Sequence, residues 1–135
     1  MKDKAFIDTN IFVYLYSSDE TTKQKQAFAV FERYECLTSM QVLHEFSNVC
    51  VKKLKMPVEN IKLALDELLN AFAAVSVDDE IIKYALDLHK KYGFSYYDCV
   101  MLASALAHGC KYFISEDLTD KQVIENQLTI KNIFV

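Results

Sequence analysis

Ala5-Phe6-Ile7-Asp8-Thr9-Asn10-Ile11-Phe12 consists of three apolar residues, an acid with two small polar neighbours, and then a renewed apolar start. The first three suit a short buried strand, and the chain from about Ile11 suits a helix, so the stretch reads as a strand turning directly into a helix. The same alternation recurs outward from it. Thr21–Tyr34 predicts a helix, Cys36–Thr38 a strand, and Ser39 the N-cap of a helix running to Leu54. Pro57 suits the first turn of a helix through about Phe72, Ala74–Val77 a strand, and Asp78 the cap of a helix that stops at Gly93. Ser95 caps a further helix ending at Gly109, Lys111–Ile114 predicts a strand, and Ile130–Val135 a last one. Short strands separated by helices predict an α/β fold: a central parallel sheet of four to five strands with helices on both faces. Ligands of such sheets bind beyond the carboxyl ends of the strands, which directs attention to the residues just after each one.

At 135 residues and 15.6 kDa, the chain fits a single domain over residues 1–135. Its 52% hydrophobic content argues against disorder, and its two glycines exclude a P-loop or GxGxxG phosphate cradle. Fifteen Lys+Arg against 19 Asp+Glu give a net charge of −4, so the bulk field does not attract nucleic acid. A polyanionic ligand therefore needs a local basic strip or bound cations. Arg33 is the only arginine, which disfavours bidentate base readout. The four cysteines Cys36, Cys50, Cys99 and Cys110 form no CxxC pair, against a zinc ribbon or thioredoxin-type motif, and read as packing residues. MKDKAFIDTN carries charges where a signal peptide needs an apolar run, and no apolar stretch approaches the ~20 residues of a membrane span. Together with free thiols, these features predict a cytoplasmic protein without membrane association.

Four acids fall where chemistry is expected. Asp8 directly follows the first strand, and Asp117 lies just after the strand ending at Ile114. Each has an ordinary explanation, a helix cap for Asp8 and a loop acid for Asp117. Glu45 lies inside the Ser39–Leu54 helix, about 60° from Val42 and thus at the margin of the stripe formed by Val42, Phe46, Val49 and Cys50. A charge at a buried margin needs a partner. Lys52 shares this edge, two turns along. Asp98, in Ser95-Tyr96-Tyr97-Asp98, fits a capping box as well as a site. Together, the four can converge at one end of the sheet, where they would raise one another's pKa unless a cation neutralised them. Oxygen-only ligands favour Mg²⁺ or Mn²⁺ over zinc, and such an ion binds and polarises a phosphodiester. An acidic protein is thereby reconciled with a polyanionic substrate.

These segments resemble the motifs of PIN-domain ribonucleases. Phe6–Phe12 resembles the opening of that family, Val42-Leu43-His44-Glu45-Phe46 the second acid, Tyr97–Ala105 the third, and Ile114-Ser115-Glu116-Asp117-Leu118 the fourth, in order and over essentially the whole chain. The compact size is similar to VapC-like toxins of toxin–antitoxin pairs. The resemblance implies a PIN-like three-layer α/β fold and a Mg²⁺- or Mn²⁺-dependent endoribonuclease that inhibits translation. It also implies a homodimer neutralised by a small antitoxin protein, with RNA as substrate and tRNA one candidate. Carried over by motif, Asp8, Glu45, Asp98 and Asp117 are the catalytic acids, with Asp8, Asp98 and Asp117 as metal ligands. Asn10 and Ser115 are supporting groups. Glu116 and Asp120 compete with Asp117 for the fourth place, and Leu118–Gln122 lacks the glycine that related sequences often carry there.

Lys52, Lys53 and Lys55 after the Glu45 helix, and Lys23 and Lys25 near another helix start, are candidates for phosphate contact or simply solvated helix ends. Tyr96 and Tyr97 are candidates for stacking on a splayed RNA base or for core packing. His44, His89 and His108 have no ligand spacing. Ile11, Phe12, Leu15, Ala27, Val30 and Phe31 either pack within the domain or line a groove for a partner helix. Competing functions are a housekeeping PIN nuclease in RNA processing and a non-catalytic binding module on the same fold. A haloacid-dehalogenase-type enzyme would need a second acid where the chain has Asn10, and a receiver domain an acidic pair after the first strand.

Overall fold

The computed structural model describes residues Met1–Val135. Six strands and six helices follow the order β1 (Lys4–Ile7), α1 (Thr9–Leu15), α2 (Thr21–Arg33), β2 (Glu35–Ser39), α3 (Met40–Lys52), α4 (Val58–Ala71), β3 (Ala73–Val75), α5 (Asp79–Tyr92), α6 (Tyr96–Ala107), β4 (Tyr112–Ile114), β5 (Val123–Ile124) and β6 (Leu128–Lys131). They form one sheet of order β3-β2-β1-β4-β6-β5, parallel except for the β5–β6 pair. The α/β class and the mostly parallel sheet agree with the expectation from sequence. No helix is long and apolar enough to cross a membrane.

Burial shows how the sheet is covered. Ala5, Phe6 and Ile7 point alternately to opposite faces of β1, yet all three are fully buried. Helices must therefore cover both faces. Phe6 and Phe113 pair across β1 and β4 and stack with ring centroids 5.3 Å apart. Helix α6 is buried continuously from Cys99 to Leu106, as its uniformly apolar sequence requires. Ser39 and Asp78 cap α3 and α5 as expected, and Gly93 ends α5 in the left-handed region at φ 77°.

Two expectations are corrected at the C-terminal end. The sheet has six strands rather than four or five, because Val123–Gln127 folds back on β6 as a hairpin. Its turn holds Glu125 and Asn126 at φ 52° and 54°, without the glycine that usually announces such a turn. Tertiary contacts hold Glu125 there: Lys91 Nζ and Tyr92 Oη donate to its carboxylate, and its amide donates to Tyr92 Oη. The last strand is Leu128–Lys131 instead of Ile130–Val135. Beyond it, Asn132 receives a cap from Asp120 and Phe134 packs edge-on against Tyr14, which carries the tail off the sheet. Ile11, Phe12 and Ala27 are fully buried in the central core, Leu15 and Phe31 pack partly buried against it, and Val30, also a core residue, lines a small hollow with Gln26, Arg33 and Ile133.

The strand order places the site. From β1 the chain steps outward through β2 and β3, then returns to β1's other side with β4. The crevice beyond the carboxyl ends of β1 and β4 is the topological switch point of the sheet.

Candidate active site

Asp8 leaves the end of β1 and caps α1, its Oδ1 accepting from Thr9 N at 2.7 Å. Its other oxygen accepts from Ser115 Oγ, just past β4, at 2.7 Å. The same Ser115 hydroxyl accepts from Asp117 N, so one side chain fixes both the acid after β1 and the turn after β4. Asp117 Oδ2 in turn accepts from Asn10 Nδ2 at 2.9 Å. Thr9 Oγ1 donates to Glu45 Oε2 at 2.7 Å, which brings α3 to the same point. Glu45, Thr9, Asp8, Ser115, Asp117 and Asn10 thus form a continuous hydrogen-bonded chain across the switch point. Asp8 acts as a helix cap and also stands at the centre of this acidic cluster.

The electrostatics of the cluster are unfavourable without a counter-charge. Asp8 is only 5% exposed. Burial raises its carboxyl to about 6, hydrogen bonds from Ser115 and Thr9 oppose the rise, and the charges of Asp117 and Glu45 add to it. A hollow of about 520 Å³ opens beside it, lined among others by Thr9, Asn10, Glu45, Lys53 and Asp117. Asn10 Oδ1 is buried and has no hydrogen-bond partner. Its orientation is forced, since its amide nitrogen must face the Asp117 carboxylate, which cannot donate when ionised. A desolvated carboxylate, two neighbouring acids and an orphaned carbonyl oxygen form an all-oxygen donor set that fits a hard divalent cation. No group of three or more His, Cys, Asp or Glu side chains is tight enough to enclose an ion alone. That arrangement is compatible with Mg²⁺, which keeps several waters and uses one or two carboxylates.

Hydrogen bonds bring Asp8, Glu45 and Asp117 together, whereas none joins the Asp98 side chain to them. Asp98 lies in the first turn of α6, where Ser95 Oγ accepts from its amide at 3.3 Å, half of the expected capping box. Its link to the cluster is indirect: Gln41 Nε2 donates both to Tyr97 O at 3.1 Å and to Glu45 Oε1 at 3.2 Å.

The competing acids of the fourth motif have other partners, although Glu116 also lines the hollow. Glu116 accepts from Lys23 at 2.7 Å and from Tyr14 Oη at 2.7 Å. Burial pushes its carboxyl up, but the bonds from Lys23 and Tyr14 prevail and leave it lowered. Asp120 accepts from Asn132 N. Among the lysines, Lys53 rather than Lys52 lines the hollow, and Lys23 is held by Glu116. Tyr97 is 66% exposed, against the core reading, while its neighbour Tyr96 is half-buried. His89 and His108 bond backbone carbonyls, and burial pushes the Cys36 and Cys110 thiols up to about 12. The sequence reading missed Thr9 and Gln41. Gln41 stands four residues before Glu45 on α3, a spacing at which helix side chains meet.

The PIN domain family model matches residues 5–123, which include every residue of this cluster. The chain belongs to the PIN domain family. No curated protein matches the sequence of this PIN domain. Solved structures share its fold. The toxin–antitoxin complex from Klebsiella pneumoniae is 19% identical with a TM-score of 0.73, over 96% of this chain and 97% of the other. VapC20 from Mycobacterium tuberculosis, a sarcin–ricin loop cleaving toxin, is 16% identical with a TM-score of 0.67, over 84% and 91%. VapBC2 from Rickettsia felis, bound to a promoter DNA fragment, is 18% identical with a TM-score of 0.67, over 96% and 99%.

Proposed function

We propose that this PIN domain is a Mg²⁺- or Mn²⁺-dependent endoribonuclease and the toxin of a toxin–antitoxin pair, acting on cytoplasmic RNA to stop translation. The observation that carries the reading is the hydrogen-bonded chain from Glu45 through Asp8 to Asn10, with a desolvated acid at its centre beside a polar hollow. Asp8, Asp98 and Asp117 would hold the cation in part through its waters, since no three acids enclose an ion alone, and Glu45 would be the fourth acid. Held by these residues, a divalent cation would supply Lewis-acid chemistry toward a phosphodiester. The chain's own residues then have separable tasks. Ser115 and Thr9 orient Asp8, so that its lone pairs are directed before any ligand arrives. Asn10 does the same for Asp117. Thr9 and Gln41 hold Glu45 Oε2 and Oε1, leaving that carboxylate positioned to accept a proton from an attacking water. Lys53 supplies a cation at the wall of the hollow for the RNA backbone.

Toxin–antitoxin complexes among the solved structures of this fold support an antitoxin protein as partner, whereas a homodimeric toxin is what the family resemblance implies. The deciding experiment is cleavage of total cellular RNA with Mg²⁺ or Mn²⁺, comparing wild type, Asp8→Asn and an EDTA control. Discrete fragments that vanish in both controls are expected, and their ends identify the target, tRNA or another RNA. Fragments that persist with Asp8→Asn, or antitoxin-free protein that never cleaves, would refute the proposal.

A further inference from the structure

A second hollow adjoins the acidic one and shares Glu45 with it. It also measures about 520 Å³, and Met40, Gln41, His44, Val77 and Tyr97 form most of its wall. Its chemistry is the opposite of its neighbour's. No lysine or arginine lines it, and Glu45 is its only carboxylate, so the wall repels a phosphate and suits an uncharged, flat group. Tyr97 supplies a platform for such a group. The residue is 66% exposed, and Tyr96 supports its ring in a T-shaped contact at 5.3 Å. Exposed aromatic rings that keep their orientation are what proteins use to stack single-stranded bases.

Gln41 ties the two hollows together. Its amide nitrogen bonds Glu45 Oε1 and Tyr97 O, both acceptors, so the amide cannot be reversed. Its Oε1 is buried without a partner, and His44, Ser76 and Tyr97 add polar groups to the wall that can bond the edge of a neutral ligand. A nucleotide divides the same way, into an anionic phosphate and a neutral base whose edge carries N–H groups.

We propose that the hollow walled by Met40, Gln41, His44 and Tyr97 is a nucleobase subsite, which takes an unpaired base flanking the scissile phosphate and stacks it on Tyr97. The proposal rests on the reading of the protein as a ribonuclease. It makes the enzyme one of single-stranded or looped RNA, because a base within a duplex cannot reach the ring.

The test uses binding, so that it does not depend on turnover. Fluorescein-labelled oligoadenylate and an abasic strand of equal length are titrated against wild type, Tyr97→Ala and Tyr97→Phe, with Ca²⁺ in place of Mg²⁺. Thermal melting confirms that each variant is folded. The expected result is that Tyr97→Ala loses about ten-fold in affinity for oligoadenylate and nothing for the abasic strand, whereas Tyr97→Phe binds as wild type. Unchanged oligoadenylate binding by Tyr97→Ala would overturn the subsite and leave the hollow to a protein partner or to none. If wild type still cleaves total RNA, that outcome leaves the ribonuclease reading intact. If wild type neither binds oligonucleotide nor cleaves RNA, both readings fall together.

Discussion

On the sheet side of the cleft, Asp8, Thr9, Asn10, Ser115 and Asp117 hold one another through short hydrogen bonds, whereas at the start of α6 the Asp98 carboxylate engages no neighbour. The first group sits where two adjacent strands end, and the strand register fixes it: Ile7 pairs with Ile114, so the residues immediately following must meet. The second sits on a helix whose position depends on packing against α5 and the sheet. The difference teaches that one wall of the site is organised by backbone pairing before any ligand binds. On the opposing wall, the half-buried Asp98 carboxylate has no hydrogen-bonded partner to fix it. Preorganisation is therefore costlier at Asp8, which is almost fully buried, than at Asp98, which is half-buried.

The largest expected effect breaks the comparison at its active end. Asp8→Asn and Asp98→Asn should each lower Mg²⁺-dependent RNA cleavage by more than the about 10–100-fold that losing a mere supporting partner of a metal ligand costs. Single-turnover cleavage rates at saturating Mg²⁺ measure this. If Asp98→Asn cleaves at the wild-type rate, the site is complete on the sheet side and Asp98 is only a helix-start acid.

The second effect concerns stability without metal. Asp8 titrates near 6 in the folded protein against an ordinary value of 3.8, so folding favours its protonated form. Stability from this group is greatest below about pH 4 and is lost as pH rises to about 6, by up to about 3 kcal/mol. In EDTA, wild type should lose melting temperature over that interval relative to Asp8→Asn, which keeps an acceptor for Thr9 N and has no charge to desolvate. The variant that destroys activity should thus melt higher at pH 7.5. Equal pH dependence in the two proteins would show that Asp8 is not desolvated as described.

How far the sequence reveals this molecule follows the same division. The β1–α1 turn was legible because strand, acid and helix are contiguous in Ala5–Phe12, and the Ser39 and Asp78 caps because capping is local chemistry. Asp117 was separable from Glu116 and Asp120 only in three dimensions, since the partners that occupy those two, Lys23, Tyr14 and Asn132, are distant or follow in the tail. The β5–β6 hairpin was hidden for a comparable reason. Its left-handed Glu125 is held by Lys91 and Tyr92 from α5, a tertiary effect that overrides the absence of a turn glycine. Glu45 was visible as a boundary acid from helical periodicity, but its tether to Thr9 joins residues 36 positions apart.

A smaller effect should follow from Ser115→Ala. The substitution removes the donor to Asp8 Oδ2 and the acceptor for Asp117 N in one step, in a fully buried position. A loss of about 1–3 kcal/mol in stability is expected, measured by urea unfolding, together with a 10–100-fold loss in Mg²⁺ affinity or activity. Asn10→Ala sharpens the point, because it frees Asp117 without touching Asp8. Its activity should fall while the pH dependence of metal-free stability stays that of wild type.

The smallest effect is the most discriminating. Asp98→Asn removes a partly exposed carboxylate whose one favourable interaction in the free protein is with the N-terminus of α6, so metal-free stability should fall by only about 0.3–1 kcal/mol. Asp8→Asn should move stability the other way, although both variants are expected to abolish cleavage. Two acids with the same kinetic phenotype and opposite stability phenotypes would separate a prebuilt wall from one recruited by its ligand. A gain in stability for Asp98→Asn would mean that Asp98 already suffers the charge of its neighbours and belongs to the same cluster as Asp8.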